Sequence, residues 1–166
     1  MGPLGELIAT THLQTLEFFF LHLQDISGPE VDRPELLYNA SVLAHYAQTS
    51  TQAGTGVPTP SNLSSVFDNF VADASLLADG EMMEAAGAQC LMLAGFFEDQ
   101  MRRRHNIRWY AELGATFFSR AATLVPLPHK AHLLSTISVR FETWRQRHAR
   151  LSRELRDEPF LLPPPK

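Results

Sequence analysis

The chain has 166 residues, 45% of them apolar and 19% charged, with a formal net charge of −4 and one cysteine. That length lets one domain bury roughly 70% of the surface of its unfolded chain, so no structural metal is required, and the lone Cys90 excludes an internal disulfide. Charge is divided by position: residues 1–101 hold thirteen carboxylates and one base, Arg33, whereas residues 102–166 hold five carboxylates and thirteen bases, so the chain either neutralises itself on folding or offers a basic surface to an acidic partner.

The start, Met1-Gly2-Pro3-Leu4, has no basic stretch ahead of an apolar one, and Glu6 interrupts the early apolar run; no signal peptide is expected. No span approaches the about 18 uninterrupted apolar residues of a membrane helix. Helical spacing recurs throughout, without the alternation of a half-buried strand. The expectation is an all-α, single-domain bundle of five to six helices over 1–157 with a long C-terminal helix, ending in a proline-rich extended tail, 158–166.

The first helix is expected to start at Thr10 or Thr11 and run to about Asp25, with Leu13, Leu16, Phe20 and Leu23 on one face. Ile26-Ser27-Gly28-Pro29 ends it. Asp32 caps a second helix with Pro34 in its first turn and a stripe of Leu36, Leu37, Ala40, Leu43, Ala44 and Ala47, stopping near Thr49. Residues 51–61 are rich in glycine, proline and threonine and predict a mobile loop. A third helix, capped by Ser61 or Asn62, buries Val66, Phe67, Phe70, Val71, Ala74 and Leu77. Asp79-Gly80 leads into a fourth, about Glu81 to Arg104, the most apolar segment and the expected centre of the domain.

Gly87 and Gly95 lie inside that fourth helix, where each costs about 1 kcal/mol relative to alanine. Close approach of a neighbouring helix is the favoured reason, with a ligand touching bare backbone as the alternative. A fifth helix, about Ile107 to Leu124, turns Tyr110, Leu113, Gly114, Phe117, Phe118 and Ala121 inward and closes at Pro126 and Pro128. The last, about His129 to Arg156, carries a seam of Leu134, Ile137, Phe141, Trp144, His148, Leu151 and Leu155 in steps of three and four, about 40 Å long at about 1.5 Å per residue.

Two clusters, Gly87-Ala-Gln-Cys-Leu91-Met92-Leu-Ala-Gly95-Phe96-Phe97 and Trp109-Tyr110-Ala-Glu-Leu113-Gly114-Ala-Thr-Phe117-Phe118, resemble a group of uncharacterised bacterial all-helical proteins over roughly residues 34–146. The chain departs from that pattern at Ala88, where the group has aspartate, and at Phe118, where it has tyrosine. The resemblance implies a bacterial helical domain and transfers no functional residue.

No catalytic or cofactor motif is found. Seven histidines raise a metal question, but His12, His22, His45, His129 and His132 show no Glu-x-x-His pairing from facing helices, so no metal is expected. His148 falls on the seam and reads as a partly buried imidazole bonded to a carbonyl or carboxylate, ahead of a switch or a ligand. Cys90 sits in an apolar run without a nearby base and reads as a packed, reduced thiol, which suits the cytoplasm. Gly54-Thr-Gly56 lacks the frame of a phosphate loop. Asn39-Ala-Ser41 and Asn62-Leu-Ser64 match the glycosylation pattern and are read as chance.

The arginines are the remaining candidate surface: Arg102, Arg103, Arg104, Arg140, Arg147, Arg150 and Arg153. On the last helix the arginines spread over the side opposite the seam, and Arg150/Glu154 and Arg153/Asp157 can pair locally, so a solvated, self-neutralising face ranks ahead of an acidic protein or peptide partner, and that ahead of nucleic acid. The reading is a non-enzymatic binding or adaptor protein working through protein-protein contacts, with self-association open. Nucleic-acid binding by the arginine-rich half, or a bundle enclosing a hydrophobic small molecule beside Gly87, Gly95 and Gly114, stands as the alternative.

Overall fold

The computed structural model describes residues 12–52, 79–102 and 106–156. Every element among them is helical and the fold is all-α. The expected helix over 62–77, most of the expected loop 51–61 and the tail 158–166 lie outside the described residues. The chain divides into two compact units, one formed by Met1–Thr59 with Arg150–Lys166 and a larger one formed by Pro60–Ala149.

In the smaller unit, helix α1 (His12–Ser27) packs against α2 (Arg33–Gln52). Gly28 ends α1 at φ +91°, its N–H donating to the Gln24 carbonyl at 3.0 Å, the left-handed cap that favours glycine. Asp32 caps α2: its carboxylate accepts from the Glu35 N–H at 3.2 Å and its carbonyl from Leu36 N–H at 3.0 Å. The buried face of α1 is Thr15, Phe19 and Leu23; of the expected stripe Leu23 is buried, Leu16 half-buried, and Phe20 half-buried beneath the Arg33 guanidinium, 5.6 Å from its ring centre. On α2 the expected stripe is buried except for Leu37, and the helix continues to Gln52 instead of stopping near Thr49. Asn39, fully buried, donates its amide to the Glu35 carbonyl at 2.9 Å, which closes that glycosylation sequence to modification in the folded chain.

The larger unit begins at Asp79, whose carboxylate accepts from the N–H groups of Glu81 and Met82 and starts α3 (Gly80–Leu91). The helix expected to run on to Arg104 widens instead into a π turn, Met92–Phe96, closed by Phe97 N–H donating to the Met92 carbonyl at 2.9 Å, and resumes as the short α4 (Glu98–Met101). Every residue from Cys90 to Glu98 is buried, so this stretch is enclosed on all sides and forms the centre of the unit. Asn106 then caps α5 (Ile107–Leu124), which packs on α3 and the π turn.

Pro128 sits at the start of α6 (Pro128–Val139), which packs on α5 and is tied to it by Ser138 Oγ donating to the Ala115 carbonyl at 2.6 Å. The long final helix expected from the seam is two helices, α6 and α7 (Phe141–Arg156), meeting at Arg140 with φ −98° and ψ 19°. Backbone bonds from Arg140 N–H to Thr136 O and from Trp144 N–H to Arg140 O span the break, and all seven expected seam residues are buried. Helix α7 supplies Phe141, Trp144, Arg145 and His148 to the larger unit and Leu151, Ser152 and Leu155 to the smaller one.

The glycines mark close contacts. A Cβ on Gly87 would stand 3.0 Å from the Phe118 ring, one on Gly95 2.9 Å from His148 Cβ and 3.0 Å from the Arg145 carbonyl, and one on Gly114 2.5 Å from the Phe141 ring edge and 2.7 Å from Cys90 Cβ. These are the neighbour approaches the sequence predicts, and the same three positions face packed atoms, not a ligand space.

Candidate binding groove and its charge network

Arg145 is the polar centre of the larger unit. Its position on α7, one residue beyond the seam's Trp144, leaves the side chain 9% exposed instead of solvated with the other arginines. Nη1 donates to Glu98 Oε1 at 3.0 Å and to the Ala94 carbonyl of the π turn at 3.2 Å, while Nε and Nη2 donate to the two oxygens of Glu142, the first at 2.9 Å. Arg102, one turn after Glu98, also bonds that carboxylate at 2.9 Å. Burial pushes the Glu98 carboxyl upward, but hydrogen bonds and charge from Arg145 and Arg102 outweigh it and hold it below the ordinary value. Glu142 is lowered chiefly by its bonds to Arg145, and Arg145 is raised chiefly by Glu142. Such groups hold fixed charge at neutral pH and are poor proton-transfer agents.

Beside this network, wholly within the larger unit, runs an open groove of about 600 Å³. One wall is α5, where Ile107, Ala111 and Ala115 succeed each other at four-residue steps with Arg108 and Glu112 alongside; the other is the α6–α7 junction, with Val139, Phe141, Glu142 and Arg145. Arg108 Nε meets Glu112 Oε1 at 3.2 Å, both side chains largely in solvent. Val139, at the break between α6 and α7, is 83% exposed. The lining therefore pairs small and branched apolar groups with two cations and two carboxylates.

The arginines singled out in the sequence are not gathered here. Arg102 is paired with Glu98, Arg140 is exposed at the α6–α7 junction, and the Arg147 guanidinium lies 4.6 Å from the Trp144 ring centre. Arg150 and Arg153 belong to the smaller unit, where Arg150 makes the expected pair with Glu154 at 3.2 Å. Arg103, Arg104 and Asp157 lie outside the described residues. Among the described residues, Arg145 with Glu98 and Lys130 with Glu84 at 3.2 Å join the acidic and basic halves of the sequence at long range; Arg102–Glu98, Arg108–Glu112, Arg145–Glu142 and Arg150–Glu154 are single-turn pairs.

Cys90 is fully buried and burial pushes its thiol far up, so the thiolate needed for nucleophilic attack is suppressed. His148 is fully buried and burial pulls it down to about 3, which keeps the imidazole neutral at physiological pH. Among the described residues no three His, Cys, Asp or Glu side chains gather where they could hold a metal ion, and no helix is long and apolar enough to cross a membrane.

Sequence reasoning misses both the groove and the role of Arg145. A signal is present for the groove: Ile107, Ala111 and Ala115 form an apolar stripe that runs obliquely from the Tyr110–Gly114–Phe117–Phe118 face toward the Arg108–Glu112 side. For Arg145 the deciding partner, Glu98, is 47 positions away.

No family model, curated protein or solved structure matches this chain.

Proposed function

We propose that this protein is a non-enzymatic helical binding module of the cytoplasm that works through protein-protein contacts, and that the α5 groove is its contact surface. The observation that carries this reading is the groove's combination of an apolar floor, small residues at Ala111 and Ala115, and an almost fully exposed Val139 on its edge. Exposed apolar surface rimmed by polar side chains is what a protein partner covers. Beside the groove, Glu98 and Glu142 are held below the ordinary carboxylate value and Arg145 above its own, away from the neutral range where an acid or base works. Equal numbers of cations and carboxylates in the lining favour a protein partner over a nucleic-acid backbone, which draws on a segregated positive patch.

The test is affinity capture from the native cell extract with the unaltered chain and with Val139→Asp. A partner held by the first and lost by the second is expected. Equal retention by both, or turnover of a small molecule by the unaltered chain in a metabolite screen, overturns the reading.

A further inference from the structure

We infer that the occupant of the groove is a second copy of this chain, docked with α5 laid antiparallel on α5 about a two-fold axis near Ala111. The inference rests on the groove being a protein-binding surface and commits it to one partner. An interface between identical copies must be self-complementary: where residue i meets j, residue j must meet i. Arg108 and Glu112 satisfy that condition. They sit one turn apart on the same exposed face, with opposite charge and side chains 87% and 68% exposed. A two-fold axis between antiparallel helices sets Arg108 against the partner's Glu112 and Glu112 against the partner's Arg108, so two pairs within chains become two pairs between chains.

The steric pattern agrees. Ala111 lies between the two charged residues and Ala115 one turn beyond, both lining the groove, and methyl side chains let helix axes approach to about 8 Å. Ile107 at one end of the stripe and Val139 on the opposite wall give the contact an apolar margin. Charge argues against an acidic peptide: the two cations of the lining are already balanced by two carboxylates, and Arg145 is committed to Glu98, Glu142 and the Ala94 carbonyl. A like-with-like contact needs no excess of either sign.

Sedimentation equilibrium of the full chain from about 1 µM to about 200 µM provides the test. A monomer–dimer equilibrium is expected, weakened at least about tenfold by Arg108→Glu and by Glu112→Arg and restored to within about threefold when both changes are made in one chain, because the reversed charges again face their complements. Both side chains are exposed, and circular dichroism of each variant verifies that the helices are intact. A chain monomeric across the range overturns the inference, as does a dimer indifferent to both single reversals or one that the double reversal fails to restore. A photo-reactive residue at Ala111 separates this failure from failure of the broader reading: a cross-link to a different protein overturns the second copy and leaves the groove as a protein-binding surface, whereas no cross-link to any protein removes both.

Discussion

Gly114 on α5 and Phe141 at the start of α7 approach so closely that a methyl group on the glycine would stand 2.5 Å from the ring's edge, with Cys90 Cβ at 2.7 Å on another side. Phe141 is 2% exposed and Cys90 fully buried, so neither neighbour has room to withdraw. Alanine raises helix propensity by about 1 kcal/mol over glycine, but overpacking a filled core costs about 1–3 kcal/mol. Gly114→Ala is therefore expected to be destabilising overall, read as a lower urea midpoint at unchanged slope.

Gly28 offers the opposite case. Nothing lies within 4 Å of a Cβ built there, so the demand for glycine comes from its φ of +91° alone. Gly28→Ala is expected to cost about 1 kcal/mol and Gly28→Asn less, since asparagine tolerates the left-handed region better. Equal midpoints for the two variants in urea unfolding would contradict this.

Arg145→Met removes the cation from between two carboxylates and leaves Glu98, still beside Arg102, without its buried partner. Breaking such a pair from one side costs about 3–5 kcal/mol when fully buried, and somewhat less is expected here because both side chains keep a little solvent contact. Adding Glu98→Gln to Arg145→Met should recover part of the loss, since the stranded charge is then gone; a double-mutant cycle in urea measures the coupling.

His148 makes stability depend on pH. Its folded value, about 3, lies below the unfolded one, so between the ordinary 6.5 and about 3 the unfolded chain binds a proton that the folded chain excludes. Stability from this group is complete above pH 6.5 and falls on acidification by about 1.4 kcal/mol per pH unit until the folded value is reached. Glu98, whose folded value is lowered, adds a loss in the same direction as the pH drops through the carboxylate range. Chemical unfolding between pH 7.5 and pH 5 should show the histidine slope, and His148→Phe should flatten it.

The seam from Leu134 to Leu155 is legible in the sequence because its steps of three and four survive the break at Arg140, where backbone bonds keep the two helices in phase. The break itself is not, since neither proline nor glycine stands between Val139 and Phe141. The wide turn at Met92–Phe96 is hidden for another reason: residues Cys90 to Phe97 are apolar or glycine at every position, and a run without period buries equally well in a regular or a widened helix. Gly87, Gly95 and Gly114 announce tight neighbours without naming them. Arg145 groups with its solvated relatives because local spacing says nothing of a carboxylate on another helix, and the groove needs two walls of which only the α5 stripe has a sequence pattern.

The wide turn also sets the rotational phase of α4. It admits one residue more than an ordinary helical turn, so the same residues wound as a regular helix through Met92–Phe96 would carry Glu98 about 100° further round. The carboxylate that now meets Arg145 would then point elsewhere, and a cation set into the protein's interior owes one of its two carboxylate partners to a single extra residue of apolar backbone in the turn.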